Sequence, residues 1–254
     1  MNKLKTTALM LFLASGSAFA SPIGILGLGS SGFVEATLTS LNWTPDPSAF
    51  PVPGPPWNAD VNSATTLVFA GGPLVTTEGV LINGGQPFGS PPPAGAGVFN
   101  PFLQFELHPN LQYFLTGVSP GSSNTNCAAV VSTGQSCSIN VAGSTSPVVL
   151  TLIGTETVVS IGMSGFATDG AGSSLWTGGF SSTIPNITPE QILLFFCPSG
   201  ACTAADVTAG RTLDVRSVSG SFSASSVPEP GTVTLLISGL GLMVAGVVRR
   251  RRKL

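Results

Sequence analysis

The sequence predicts an all-β protein whose main part is an antiparallel β-sandwich or jelly roll. Several segments alternate apolar and polar residues with a period of two, which is typical of strands with one buried face. Residues that favour turns separate these segments, and the chain contains 32 Gly and 21 Pro. Only 8% of the residues are charged, whereas a soluble protein carries roughly 25%. This composition excludes a coiled coil and a highly charged disordered chain.

Two segments show the alternation clearly. In the first, Leu103, Phe105 and Leu107 share one face, while the polar residues between them, ending in His108, share the other. In the second, residues 218–225 alternate apolar residues or glycine with serine. The other predicted strands are 34–41, 65–70, 74–82, 111–118, 148–153, 157–166, 176–184 and 191–196. We predict no long helix within residues 21–226, and two proline-rich stretches, 44–57 and 84–101, are predicted to be loops.

The distribution of positive charge predicts export. Every basic residue except Arg211 and Arg216 lies within the first five or the last six positions. Residues 1–20 combine Lys3 and Lys5 with a short apolar run and end in Ala18-Phe19-Ala20, the pattern of a secretory signal peptide. We therefore expect the Sec machinery and signal peptidase as partners, with cleavage after Ala20. No basic surface that would bind nucleic acid is expected.

The C-terminal segment, 227–254, has three parts in order. Pro228, Glu229 and Pro230 form an extended motif, because each proline fixes its own φ and disfavours helix in the residue before it. Residues 232–248 are uncharged and would form an apolar helix roughly 26 Å long at about 1.5 Å per residue. A basic cluster follows, and basic residues stay on the cytoplasmic side of a membrane. Its members are Arg249, Arg250, Arg251, Arg252 and Lys253.

This three-part tail resembles the PEP-CTERM sorting signal of Gram-negative bacteria. The resemblance covers residues 227–253 and implies that an exosortase, a membrane protease-like enzyme, removes the tail near Pro228, Glu229 and Pro230. It also implies that the protein is held briefly in the inner membrane and then reaches the cell surface or the medium. Proteins with such tails tend to accompany exopolysaccharide production. The alternative is an ordinary membrane anchor that stays attached.

Four cysteines in an exported chain indicate two disulfides. Three pairings are possible, and we expect the local one, in which Cys127 bonds to Cys137 and Cys197 bonds to Cys202. A zinc site is a weaker interpretation, because Cys127 and Cys137 are spaced too far apart for a usual ligand pair. The single histidine, His108, is also distant from the cysteines in sequence. We predict no metal and no cofactor.

The sequence offers few residues for catalysis, and we predict that the protein is not an enzyme. A Ser-His-Asp triad would depend on His108, which the alternation places on the solvent-exposed face at the end of a strand. The nucleophile motif Gly-x-Ser-x-Gly is absent from the sequence. The acidic residues are scattered singly, so a hydrolase that uses paired carboxylates has no support from their spacing.

We therefore expect residues 21–226 to form an exported structural or adhesive domain associated with exopolysaccharide. The alternative is a carbohydrate-binding module in which Trp43 and Trp57, beside the first proline-rich loop, stack on sugar rings. Ice binding has weaker support, because Thr-x-Thr occurs in this region only at 37–39 and 155–157, without a period.

Overall fold

The computed structural model describes residues 21–29, 33–38, 40–44, 59–82, 86–87, 99–141, 144–215 and 218–226. The predicted signal peptide 1–20, the tail 227–254 and most of both proline-rich stretches lie outside them. The described strands are β1 (Gly24–Gly29), β2 (Phe33–Ala36), β3 (Ser40–Thr44), β4 (Ala59–Val61), β5 (Gly79–Ile82), β6 (Gln86–Pro87), β7 (Phe99–Phe105), β8 (Gln112–Val118), β9 (Ser136–Cys137), β10 (Asn140–Val141), β11 (Ser144–Thr145), β12 (Val149–Ile153), β13 (Glu156–Thr168), β14 (Ser173–Ile184), β15 (Leu213–Val215) and β16 (Ser219–Ser226). The helices are a 3-10 turn at Cys127–Ala129, α1 (Pro189–Phe196) and α2 (Ala204–Thr208).

Eight antiparallel strands close into a barrel. Their order is β14-β16-β1-β4-β5-β7-β8-β13, and β13 pairs back to β14. The two longest strands, β13 and β14, form the hairpin that closes it, with a register from Thr157 opposite Ile184 to Thr168 opposite Ser173. At its other edge β14 pairs with β16. The prediction of a mostly β, antiparallel protein is confirmed.

The sandwich or jelly-roll prediction is wrong, because the main sheet closes on itself. Alternation shows that a strand has one buried face, and a sandwich and a barrel share that property. The difference lies in the pairing of β14, which has a partner strand on each edge. That pairing is a long-range property with no counterpart in the local residue pattern.

Aromatic side chains fill the interior of the barrel. Trp176, Tyr113, Phe102 and Phe222 are all at most 1% exposed, and their ring centroids lie between 5.4 and 6.5 Å from one another in the recorded pairs. Burying one such side chain stabilises the fold by about 1.5–3 kcal/mol. The described part of the barrel is therefore a packed core.

Two glycines make room for this packing. A Cβ atom on Gly220 would lie 2.7 Å from the ring of Phe180 and 2.9 Å from that of Phe222. A Cβ atom on Gly165 would lie within 2 Å of the backbone oxygen of Phe114. Glycine inside a strand commonly marks such a close approach.

A second, smaller hydrophobic core lies beside the barrel, and we call it the satellite core. The first part of β13 pairs with β12, which pairs with β9, and these strands carry the sheet beyond the barrel. Helix α1 covers this extension. The buried members of the satellite core are Leu38, Cys127, Val130, Cys137, Ile139, Leu150, Leu152, Ile192, Leu193, Phe196 and Cys197.

The strand predicted at 191–196 is wrong, because these residues belong to helix α1. Thr188 caps the helix: its side-chain oxygen accepts a hydrogen bond from the Gln191 backbone, and the Gln191 side chain accepts one from the Thr188 N–H. Pro189 occupies the first helical turn, a position where its missing N–H costs nothing. This start signal outweighs the strand preference of the apolar run that follows.

Three other strand predictions need smaller corrections. Residues 34–41 divide between the end of β2 and the start of β3. Residues 65–70 contain only an isolated bridge between Val68 and Ile23. In 74–82 only Gly79–Ile82 is a strand. Strand β1 was not predicted.

Candidate functional sites: a polar cleft and an uncharged sheet surface

A buried carboxylate holds the only histidine of the chain. Glu78 is 3% exposed, and its two oxygens lie 2.9 and 3.0 Å from Nδ1 of His108. The same carboxylate accepts hydrogen bonds from the backbone N–H groups of Leu107 at 2.9 Å and Val75 at 3.4 Å. The predicted solvent-exposed position of His108 is wrong, because β7 ends at Phe105 and the chain turns His108 back onto Glu78.

His108 lines an open cleft of about 360 Å³. Two turns and the β13–β14 hairpin form its walls: one turn closes from Phe69 to Gly72, and the other closes from His108 to Leu111. The ring of Phe69 packs edge-on against the imidazole at 5.2 Å. The lining residues are Phe69, Ala70, Gly71, Leu107, His108, Pro109, Asn110, Leu111 and Asp169.

Asp169 links two walls of the cleft, the β13–β14 hairpin and the turn that contains Ala70, by hydrogen bonds. Its carboxylate accepts hydrogen bonds from the backbone N–H of Ala70 at 2.7 Å, Ala171 at 2.9 Å and Gly172 at 3.0 Å. Burial acts to raise the pKa of Asp169, but these backbone hydrogen bonds outweigh it and hold the pKa below its usual value. Because its oxygens are occupied by the backbone, Asp169 is a structural link between the two walls.

The cleft presents the imidazole of His108 as a hydrogen-bonding group. When Nδ1 of neutral His108 donates to Glu78, the lone pair of its ring lies on Nε2. That atom would accept a hydrogen bond from a hydroxyl group in the cleft. The lining residues include no Ser, Thr or Cys that could serve as a nucleophile. Among the residues that the structure describes, no His, Cys, Asp and Glu side chains form a group of three or more that could hold a metal.

The second candidate site is the outer surface of the barrel formed by β8, β13, β14 and β16, which we call the outer wall. The residues of β8, β14 and β16 are all uncharged, and β13 carries a single charge at its first residue, Glu156. Ser and Thr supply most of the outward positions. An exposed sheet face ordinarily carries charged residues, so the outer wall is an unusual surface for a soluble domain.

Three large apolar side chains lie in one row across the outer wall, and we call them the apolar row. Phe114 of β8 is opposite Phe166 of β13, and Phe166 is opposite Leu175 of β14. The two phenylalanine rings stack with centroids 4.6 Å apart and an interplanar angle of 9°. Both rings are half-buried, and Leu175 is 57% exposed. The row continues to Ser225 on β16.

Hydroxyl-bearing residues form the next row of the outer wall, which we call the hydroxyl row. Ser164 of β13 is opposite Thr177 of β14, and Thr177 is opposite Ser223 of β16. On each strand, the residue of the hydroxyl row is therefore two positions away from the residue of the neighbouring row: Ser164 precedes Phe166, Thr177 follows Leu175, and Ser223 precedes Ser225. The row after it consists of the small residues Gly162, Gly179 and Ser221.

The structure places some of the predicted site residues and not others. The backbone of Trp43 lies in β3 opposite Val34, but its side chain is outside what the structure describes, as is Trp57. The motif Pro228, Glu229 and Pro230 and the basic cluster 249–253 also lie outside the described residues. Among the described residues, no helix has the length and apolarity needed to cross a membrane, and the predicted span 232–248 is not among them.

Both disulfides are present in the expected pairing. Cys127 bonds to Cys137 and Cys197 bonds to Cys202. The first links the 3-10 turn to β9, and the second links the end of α1 to the segment before α2.

Sequence reasoning missed both the Glu78–His108 pair and the apolar row. The pair joins residues 30 positions apart, and neither residue belongs to a motif. The apolar row did leave a signal, because Phe114, Phe166 and Leu175 are each a large apolar residue at a position where the alternation predicts a polar one. Only the strand register shows that the three exceptions are neighbours.

Comparison with known proteins identifies the tail. Residues 226–253 match the family model of the PEP-CTERM protein-sorting motif. The resemblance inferred from the sequence is therefore confirmed, and the motif marks an exported protein that exosortase, a membrane protein, sorts to the cell surface. No curated protein and no solved structure matches the chain.

Proposed function

We propose that this protein is a non-enzymatic structural or adhesive component of the cell surface or extracellular matrix that associates with exopolysaccharide. The observation that carries this proposal is the outer wall. It is a broad, uncharged sheet surface whose exposed groups are hydroxyls and a few apolar side chains. Such a surface suits a partner that is itself uncharged and rich in hydroxyls.

The route to that location is part of the proposal. Signal peptidase removes residues 1–20, and residues 232–248 then hold the protein in the inner membrane with Arg249–Lys253 on the cytoplasmic side. Exosortase releases residues 21–226 by cutting near Pro228, Glu229 and Pro230. The intact mass of protein recovered from the cell surface tests this route. A mass that runs from Ser21 to the Pro-Glu-Pro motif supports it, and one that continues to Leu254 contradicts it.

The association with exopolysaccharide is tested by fractionating cultures of cells that make the polysaccharide and of cells that cannot. We expect the processed protein to sediment with the matrix of wild-type cells and to appear in the medium of cells that cannot make the polysaccharide. A deletion of residues 227–254 serves as the control for sorting, since that variant should not reach the surface in processed form. Equal distribution between matrix and medium in both strains would contradict the proposal.

A further inference from the structure

We propose that the apolar row and the hydroxyl row of the outer wall together form a binding site for a neutral, linear polysaccharide chain that lies across the strands. This inference rests on the proposed function and names the partner and the residues that contact it. It depends on the strand register, which brings Phe114, Phe166 and Leu175 into one line.

The shape of the site fits an extended chain. Neighbouring strands of a sheet are about 4.8 Å apart, so three consecutive strands give an apolar strip on the order of 10–15 Å long. The hydroxyl row runs parallel to this strip at roughly 6.8 Å, the distance that two residues span along an antiparallel strand. A chain laid on the strip would therefore meet apolar side chains beneath it and hydroxyls along one side.

The chemistry of the two rows matches the two kinds of surface on a sugar ring. The C–H face of a pyranose is apolar and packs on aromatic rings or exposed aliphatic side chains. Phe114 and Phe166 stack on each other, so the face that each ring turns toward the other is covered and the ring edges contribute to the apolar strip. Leu175 extends the strip with a side chain that is 57% exposed. The sugar hydroxyls at the ring edge would exchange hydrogen bonds with Ser164, Thr177 and Ser223, since a hydroxyl both donates and accepts.

The absence of charged residues from this part of the outer wall favours a neutral polymer over a charged one. Binding of nucleic acid, an anionic lipid surface or an acidic polysaccharide depends on Lys and Arg at the contact. From residue 157 onward in β13, and throughout β8, β14 and β16, the strands carry no charged residue. A neutral chain leaves no charge without a partner when it covers this surface.

The same surface does not suit an obligate protein interface. Such interfaces are large and have a hydrophobic core that resembles a protein interior. Here the apolar strip is one residue wide, and the residues beside it along the strands are Ser, Thr and Gln. A polysaccharide chain is narrow and needs only such a strip.

Isothermal titration calorimetry of the processed protein, purified from the cells that express it, tests the site. The probes are three neutral linear hexasaccharides (cellohexaose, xylohexaose and mannohexaose) and one anionic hexasaccharide, hexagalacturonate. We expect at least one neutral probe to bind and the anionic probe to bind more weakly. The Leu175→Ser variant should weaken binding roughly tenfold, since losing the burial of one such side chain is worth about 1.4 kcal/mol or more. The double variant Phe114→Ser/Phe166→Ser should abolish it.

Matched variants separate loss of contact from loss of fold. Ile153→Ser also removes an exposed apolar side chain, 44% exposed on β12, and should bind as the unmodified protein does. Ser223→Asp places a charge in the hydroxyl row and should weaken binding, whereas Ser132→Asp, in an exposed loop outside the outer wall, should not.

Circular dichroism and thermal melting check the fold of each variant. If the double phenylalanine variant does not fold, the binding of Leu175→Ser and Ser223→Asp decides whether the site is correct.

The outcomes distinguish the site from the proposed function. If no neutral hexasaccharide binds, or if Leu175→Ser and Ser223→Asp bind normally, the site assignment is overturned. If the protein still sediments with the matrix in that case, the proposed function stands and a different surface makes the contact. If sedimentation shows that the protein self-associates and Leu175→Ser makes it monomeric, the outer wall is an interface between copies of this chain, and the inference is overturned.

Discussion

The barrel and the satellite core are stabilised in different ways. The barrel encloses a cluster of large aromatic side chains, and none of its core residues is a cysteine. The satellite core contains fewer and smaller buried residues, and all four cysteines of the chain lie in it or against it. A large core can offset the entropy of ordering its strands by burial, whereas a small one depends on cross-links. Both disulfides therefore lie at the smaller of the two cores that the structure describes.

The largest effect should come from the barrel core. Phe222→Ala removes a ring that is fully buried and contacts four other rings. We expect it to lower the free energy of unfolding by about 3–5 kcal/mol. Phe195→Ala is the matched control, because Phe195 is 43% exposed on α1 and should change stability by about 1 kcal/mol or less. Urea unfolding measures both, and equal effects would show that the aromatic cluster is not the main stabilising element.

Breaking the first disulfide should affect mainly the satellite core. Cys127→Ala/Cys137→Ala opens a loop with a sequence separation of 10, and the chain-entropy relation gives a loss of about 2.5–3 kcal/mol. The shorter loop of Cys197 and Cys202, with a separation of 5, gives about 2 kcal/mol by the same relation. Hydrogen exchange of the native protein should show faster exchange in β9 and β12 and little change in β14 and β16. Uniformly faster exchange would mean that the two regions unfold as one unit.

The Glu78–His108 pair should contribute less than the barrel core and no more than the first disulfide. His108→Ala leaves the buried Glu78 carboxylate with only backbone donors, so we expect a loss of about 1–3 kcal/mol. A double-mutant cycle with Glu78→Gln isolates the interaction, since the two single losses should add to more than the loss of the double variant. Glu106→Gln, at an exposed carboxylate, is the control and should change stability by no more than about 0.5 kcal/mol. Additive losses in the cycle would show that the pair does not stabilise the turn.

The smallest effect at neutral pH should come from Tyr113, although it becomes visible in alkali. Its hydroxyl is buried and has no hydrogen-bond partner among the described residues, so Tyr113→Phe should be nearly neutral at pH 7. Burial raises the pKa of Tyr113 above its usual value of about 10. The unfolded chain therefore releases this proton first, and the stabilising contribution is present below about pH 10 and is lost as pH rises above it.

Absorbance of tyrosinate checks this prediction directly, because Tyr113 is the only tyrosine in the chain. The absorbance should rise only when the protein unfolds, and Tyr113→Phe should shift alkaline unfolding to higher pH. A titration near pH 10 in the folded protein would show that the hydroxyl is reached by water.

Much of the fold was predictable where the pattern is local. The alternation in residues 218–225 becomes β16, with Phe222 and Ala224 buried and the serines outside. The alternation in 102–108 holds only from Leu103 to Phe105. Before it, Phe102 is buried as Leu103 is, and after it the chain turns and leaves Leu107 59% exposed. The helix at Pro189–Phe196 was missed, although its capping box is a local signal.

The candidate sites were less predictable, because they join residues far apart in the chain. Trp43 and Trp57 were chosen for their type and their neighbours, whereas Tyr113 and Trp176 turn out to be core residues. Glu78 and His108 meet because a turn after β7 reaches the segment before β5. Nothing in the local sequence around Glu78 or around His108 indicates that the two side chains are in contact.

The sequence alone determined that this protein is exported and mostly β, and it favoured the local cysteine pairing, since a sorting tail, an alternating strand and a short cysteine spacing are all features of neighbouring residues. The tertiary structure decided that the sheet closes into a barrel, that a buried carboxylate holds the histidine, and that Phe114, Phe166 and Leu175 form one row. These features depend on which strands pair and in what register. That choice is settled by the packing of the whole core, because a one-residue shift would exchange the buried and exposed faces of a strand.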